Sequence, residues 1–230
     1  MSRAKIIRRT VRWTPCYRIV ASRFPPVSVF DSVADPADLE AVFQVESMTN
    51  PRRRQELGQL SLVPANRRIS GPGTTPIMAA FTHSNPQGSR FSDGNYGVYY
   101  AAKDLETATH ETVYHTQNFL RATNEPACVV QKRCYTADLN GKLHDVRTGH
   151  PELHDPNSYV ASQAMARQLR EQGSDGLLYN SVRKRGGQCV AVFYPDLLSP
   201  ARQGQHLQYH WDGHAVTHVS VLAAMDIDSV

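Results

Sequence analysis

The 230-residue sequence is short of the features that announce several common protein classes. It contains no run approaching about 18 consecutive apolar residues, so a membrane-spanning helix is not expected. Its basic start, MSRAKIIRRTVRW, never reaches the apolar core of about 7 to 15 residues that a secretory signal needs. The four cysteines, Cys16, Cys128, Cys134 and Cys189, form no CxxC pair, and a chain of this size needs no disulfide staples. They read as small buried apolar side chains in a reduced, cytoplasmic setting. A GxSxG nucleophile elbow is missing. SGPGTTP at 70–76 lacks the GK[ST] that grips phosphate and magnesium, so it is not a phosphate loop. There is no internal repeat and no low-complexity tract.

Charge is not extreme either. A formal net charge of +4 is compatible with an anionic small molecule, an acidic protein or weak nucleic-acid contact. The clusters Arg8–Arg9 and Arg52–Arg54 have little aromatic interleaving and no nucleic-acid motif around them, so they are expected to be solvated surface.

A hydrophobic content of 40% is ordinary for a globular chain and predicts one core. The first 75 residues are the least regular, with RFPPVSVFDSVADP as a proline-punctuated loop and GQLSLVPANRRISGPGTTP as another. Between them, Asp35 caps a helix that opens on Pro36 and carries Leu39, Val42, Phe43 and Glu46 at helical spacing. From Gly97 the pattern tightens. Val98, Tyr99 and Tyr100 predict a short strand, and Asp104 caps a helix running to about Asn118. ACVVQKRCYTADL predicts another strand, and NSYVASQAMARQLREQG a helix with Ala161, Ala164, Met165 and Leu169 on one face and Gly173 as its stop. GLLYNSV and QCVAVFY predict a hairpin across RKRGG. HLQYHW and HAVTHVSVL predict a second hairpin across Asp212-Gly213. The expected class is α+β: mixed, largely antiparallel sheets with flanking helices, in one domain over 1–230. A long insertion or lid at about 25–85 and a C-terminal hairpin extension at about 201–230 complete it.

Ten histidines invite a metal reading, above all His206, His210, His214 and His218. A two-residue turn at Asp212-Gly213, however, sets Trp211 opposite His214 and places His206 and His210 on one sheet face, His214 and His218 on the other. A single four-histidine site is therefore not expected, and no metal is assigned. His150 and His154, four apart in TGHPELHDPN, are expected to be surface loop histidines.

Glu111 stands apart. It lies on a helix directly after a strand and shares a face with Ala108 and His115 through three- and four-residue spacing. That face turns toward whatever Tyr100 lines. Taken alone, an ordinary ion-paired helix glutamate would explain it.

Three stretches change that weighting: CYRIV, GSRFSDGNYGVYYAAKDLETATHETVYH and GSDGLLYNSVRKRGGQCVAVFYP. In this order, with the tyrosine of YYAA eleven residues before the glutamate, they resemble the RES-domain family, named for its arginine, glutamate and serine. The resemblance spans roughly Thr14 to Pro200 and points to the larger branch of that family. Arg18, in preference to Arg23, matches the family arginine, Arg90 the second arginine, Tyr100 the pocket tyrosine, Glu111 the glutamate and Ser181 the serine. One departure is Gly88-Ser89-Arg90-Phe91-Ser92, where short members carry Gly-Gly-Arg-Trp-Asn.

The resemblance implies a toxin of a bacterial type II toxin–antitoxin pair with an ADP-ribosyltransferase-like fold, and NAD+ as substrate with no metal required. Its partner would be a cognate antitoxin, typically a helix-turn-helix protein that occludes the active site, with nucleic acid met only through it. Breaking the nicotinamide–ribose bond creates an oxocarbenium-like sugar, which a single carboxylate can stabilise, since nicotinamide leaves as a neutral ring. Glu111 is assigned that role, with Arg18 and Ser181 as further catalytic residues. Arg18 and Arg90 suit the pyrophosphate, Tyr100 the cationic nicotinamide, and Ser181 a ribose hydroxyl or the nicotinamide amide. Extra surface at 25–85 and after Pro200 tips the expectation slightly toward transfer of ADP-ribose to a protein side chain. Phosphorolysis or hydrolysis of NAD+ is the alternative, and a nucleic-acid-binding or nuclease-like toxin the rival from another class.

Overall fold

The computed structural model describes residues 6–22, 30–49 and 58–223. Arg23 and Arg52–Arg54 lie outside them, as does the side chain of Glu46.

The fold is mixed α/β around a seven-stranded, mostly antiparallel sheet. Its strands are β1 (Ile7–Ala21), β2 (Tyr99–Ala102), β3 (Cys128–Asp145), β4 (Gly176–Asn180), β5 (Gln188–Val192), β6 (Arg202–Trp211) and β7 (Val216–Leu222). The helices are α1 (Leu39–Thr49), α2 (Thr75–Thr82), α3 (Leu105–Ala122) and α4 (Val160–Glu171). Strand order is β1-β2-β5-β4-β3-β6-β7, and β1 also pairs with β3. The pairings β1–β2, β2–β5, β5–β4, β4–β3 and β3–β1 thus form a closed circuit, with the β6–β7 hairpin extending from β3. Among the described strands, only β3 and β4 run parallel, at His144↔Leu177 and Asp145↔Leu178.

Period-two alternation builds a core on each face of the central strands. Leu178, Val190, Val192, Tyr99 and Ala101 point into one apolar cluster with Ile77, Met78 and Phe81 of α2. Leu177, Tyr179, Cys189, Ala191 and Phe193 point into the other, with Ala166 and Leu169 of α4. Burial on both faces is why GLLYN and QCVAV are continuous apolar runs rather than alternating ones. Phe30, Val33, Leu39, Leu60 and Val63 also belong to the first cluster, so the described part of 25–85 is packed against the sheet.

Several expectations need correction. The first 75 residues contain the 15-residue strand β1, which IRRTVRW disguises because Ile7 to Thr10 and Arg12 are exposed and only Val11 and Trp13 of that stretch are buried. Arg8 and Arg9 are exposed, as expected of solvated surface, but they are also tied to the neighbouring strand: Arg9 bonds Asp145 at 2.8 Å and Arg8 donates to His144 at 3.2 Å. Helix α2 occupies residues expected to close a loop. On α4, Ala164 is exposed, whereas Ser162, Ala166 and Leu169 are buried, because Ala164 lies on the opposite side of the helical wheel.

The second hairpin forms, but its turn runs over Asp212–Ala215 rather than two residues. The Asp212 N–H donates to the Ala215 carbonyl at 3.1 Å, and Asp212 Oδ1 accepts from the backbone of His214 and Ala215 at 2.7 Å each. The longer turn and an irregularity after His210 pair Trp211 with Val216 and set His210 directly opposite His218. Those two rings stack at 3.9 Å, so they share a face instead of facing apart. Among the described residues, no group of three or more His, Cys, Asp or Glu side chains is arranged to hold a metal ion. No described helix is long and apolar enough to cross a membrane.

Gly176 begins β4 with a φ of +145°, a conformation that L side chains rarely adopt, and an added Cβ would collide with the Ala191 carbonyl. Gly176→Ala is expected to destabilise the fold by about 1–3 kcal/mol, measured as a lowered urea midpoint at unchanged slope. An unchanged midpoint would show that the strand relaxes around the methyl group.

Candidate active site

Helix α3 starts where Asp104 receives the Thr107 N–H at 2.7 Å and the Thr107 hydroxyl at 2.9 Å. With its first turn fixed by this cap, the helix carries Glu111 about two turns in, over the buried Ala108. Ser181 approaches from the end of β4. Its hydroxyl donates to Glu111 Oε1 at 2.6 Å, and it accepts from the backbone N–H groups of Arg183 at 3.1 Å and Lys184 at 2.9 Å. Two donors occupy the oxygen's lone pairs, so its single proton is committed to the glutamate. A short bond to a carboxylate is of the charge-assisted kind. Sequence positions 111 and 181 thus meet as one unit.

Glu111 faces a cavity of about 570 Å³, within the usual range for small-molecule sites. Arg18, Arg90 and Tyr100 also line it, and Glu111 is the one carboxylate residue doing so among the described residues. Ser181 does not line it; it stands behind Glu111, with its hydroxyl engaged there. Of the five residues singled out from sequence, four meet at the cavity and the fifth orients one of them.

Each arginine is partly satisfied by backbone. Arg18 on β1 donates to the Tyr100 carbonyl at 3.1 Å and lies 4.8 Å from the centre of the Tyr99 ring. Its Nε is buried with no hydrogen-bond partner, and burial pushes its pKa down, although a guanidinium stays charged under any physiological condition. Arg90 donates through Nη1 to the carbonyls of Leu153 at 3.1 Å and Asp155 at 2.9 Å, and sits 4.8 Å from the Tyr159 ring.

Tyr100 does more than offer a ring. Its hydroxyl accepts the Phe91 N–H at 2.8 Å and bonds the Ser89 hydroxyl at 2.8 Å, so it braces the turn that carries Arg90. Burial pushes its phenol pKa up, which keeps it protonated. Gln163 of α4 holds the same turn, donating to the carbonyls of Ser89 at 3.0 Å and Ser92 at 3.2 Å.

The cavity wall also includes Tyr17, Tyr114, His115 and Tyr159. Tyr17 and the Tyr114–His115 pair adjoin residues that the sequence does mark, whereas nothing in NSYVA marks Tyr159. Arg183 lies 3.2 Å over the Tyr114 ring and donates to the Pro156 carbonyl at 2.6 Å, bridging α3 and the segment before α4. His150 and His154 are not surface loop histidines. His150 is 3% exposed, and His154 terminates a short 3-10 helix, Pro151–His154, clamped by Arg90.

Aromatic walls with two arginines and, among the described residues, a single carboxylate make this cavity the candidate ligand-binding cleft, set into a mixed sheet. The chain belongs to the RES domain family, whose profile matches residues 66–212. Arg90, Tyr100, Glu111 and Ser181 fall inside that match, and Arg18 outside it. An uncharacterized protein of Sinorhizobium fredii, y4oC, is 30% identical over 212 residues, covering 91% of this chain and 87% of the relative. Among solved structures, that of the M. tuberculosis MbcT–MbcA toxin-antitoxin complex is similar at 14% identity and a TM-score of 0.46. That similarity covers 88% of this chain and 86% of the matched chain.

Tyr100→Phe leaves the Phe91 N–H without its acceptor. The variant is expected to lose about 1–3 kcal/mol of stability and to show faster hydrogen exchange at residue 91. Unchanged exchange there would mean that Gln163 holds the turn alone.

Proposed function

We propose that this protein is the toxin of a bacterial toxin–antitoxin pair and that it breaks the nicotinamide–ribose bond of NAD+. Membership of the RES family supports the toxin role. The observation that carries the chemistry is Ser181 bonded to Glu111 at the edge of a cavity that Arg18 and Arg90 also line.

The roles follow from charge. Heterolysis leaves the bonding electron pair on nicotinamide, which departs neutral, and a positive charge spreads over C1′ and the ring oxygen of the ribose. Glu111, fixed by Ser181, stabilises that charge and is not spent on protonating the leaving group. Arg18 and Arg90 bind the pyrophosphate; the unpartnered Nε of Arg18 is a donor that an anion would satisfy. Tyr100 flanks the nicotinamide and keeps Arg90 in place. The scheme routes no step through a metal.

The acceptor follows from what else lines the cavity. A neutral side-chain nucleophile must lose a proton, whereas phosphate arrives as an anion and needs no base. With Glu111 the one carboxylate residue lining the cavity among the described residues, phosphate is the acceptor the geometry supports best. Part of the surface that favoured a protein acceptor is committed elsewhere: β6 pairs with β3, and Phe30, Val33, Leu39, Leu60 and Val63 pack in the first core. Transfer to a protein side chain is the second reading. The partner is a cognate antitoxin, expected to carry a helix-turn-helix domain and to cover the cleft.

Glu111→Gln is expected to cut nicotinamide release from NAD+ by about 10²–10³-fold while leaving the unfolding free energy from urea titration within about 1 kcal/mol of wild type. Release at the wild-type rate would remove Glu111 from the mechanism. Wild-type protein incubated with labelled NAD+, with and without phosphate and with cell lysate, separates the acceptors. Phosphate should accelerate release and yield a phosphorylated ADP-ribose. Labelled lysate proteins would establish the second reading, and no free nicotinamide in any arm would overturn NAD+ cleavage.

A further inference from the structure

The short 3-10 helix between β3 and α4 ends on a histidine that the proposed chemistry does not use. His154 Nδ1 lies 3.0 Å from the His150 carbonyl, which can only accept, so the neutral ring carries its proton on Nδ1. Nε2 is therefore the acceptor, and it takes the backbone N–H of Asn180 at 3.2 Å. Asn180 is the last residue of β4, and the next residue, Ser181, is the one that holds Glu111. The Asn180 side chain donates to the Arg147 carbonyl at 2.8 Å, which anchors the strand end from the opposite direction. Arg90 grips the carbonyls of Leu153 and Asp155, the residues on either side of His154. One imidazole thus connects the turn bearing a cavity arginine to the strand end bearing Ser181.

We propose that His154 is a positioning residue whose neutral imidazole locks the Asn180–Ser181 strand end, and that protonation of the ring releases this lock and with it the placement of Glu111. A proton on Nε2 would set two N–H groups against each other, and the Asn180 amide would lose its acceptor.

The surrounding charges favour the neutral ring. Burial is the largest influence and pushes the pKa below the ordinary imidazole value of 6.5; Arg90 and His150 push the same way, while the His150 carbonyl and Glu152 oppose them. Elsewhere around the short helix, the Arg147 guanidinium is bonded to Asp145. On α4, Arg167 is bonded to Asp93, Arg170 lies over Tyr96, and Glu171 is exposed. The folded form therefore binds the proton less readily than the unfolded chain does. The lock is intact above the unfolded value and is lost as pH falls from there through the folded pKa.

The kinetic readout rests on the assignment of Glu111 to NAD+ cleavage; the spectroscopic one does not. In His154→Gln the side-chain oxygen can still accept the Asn180 N–H but cannot titrate, whereas His154→Leu offers no acceptor. Nicotinamide release by the Gln variant is expected to stay within about threefold of wild type at neutral pH and to lose the wild-type decline on acidification. The Leu variant is expected to fall by up to about a hundredfold in kcat with little change in KM. In ¹⁵N-labelled wild-type protein, His154 Nε2 should appear unprotonated at neutral pH, and Asn180 amide exchange should speed up as that nitrogen titrates. A shared acid decline in wild type and the Gln variant, or an Asn180 amide indifferent to His154, overturns the proposal. If wild-type protein releases no nicotinamide, the NAD+ reading fails, and the amide and imidazole signals alone decide the lock.

Discussion

One strand governs this molecule. A β-strand has two edges, and β3, at 18 residues, is long enough to use one edge for β1 along most of its length and to divide the other between β6 and β4. Its N-terminal half carries the β6–β7 hairpin, and its last residues start the parallel pairing that brings β4 into line. Without that shared edge, β4 would not close the circuit of strands, and Ser181 would not be delivered to α3. The cavity is where this closure leaves a face of β2, β4 and β5 opposite the helix that follows β2.

The site then depends on polar groups being satisfied in pairs. Ser181 cannot rotate its proton away from Glu111 while two backbone amides occupy its oxygen. Tyr100 ties the Arg90 turn down through a backbone amide, and Arg90 clamps the segment before α4 through two carbonyls. Much of the machinery is thus held by main-chain contacts rather than by other side chains.

The elements legible in advance were those whose signals are local. Asp104 before LETATH, Asp35-Pro36 and the glycine after REQ are punctuation that acts within a few residues, and each stands at a helix end. The paired apolar runs GLLYN and QCVAV were legible because burial on both faces writes itself into composition. Strand β1 was not, because its first six residues hold three exposed arginines and only two apolar side chains, Ile7 and Val11. The turn after Trp211 was misjudged because Asp-Gly fits both a two-residue and a four-residue turn, and the Asp212 carboxylate, by capping two amides, selects the longer one.

At the site, the amino-acid order determined the succession of Tyr100 on a strand and Glu111 on the helix that Asp104 caps, whereas that strand's place in the sheet rests on distant partners, Tyr17 and Cys189–Val192. It also marked Arg18, Arg90 and Ser181, though only through resemblance to a family. Tertiary structure decided what those marks mean: that Arg18 reaches the cavity from β1, that Ser181 stands behind Glu111 instead of lining the cavity, and that Tyr159 joins its wall. The reason is physical. Contacts across 63 to 82 residues depend on how a shared strand divides its edges, and no periodicity within a segment encodes that division.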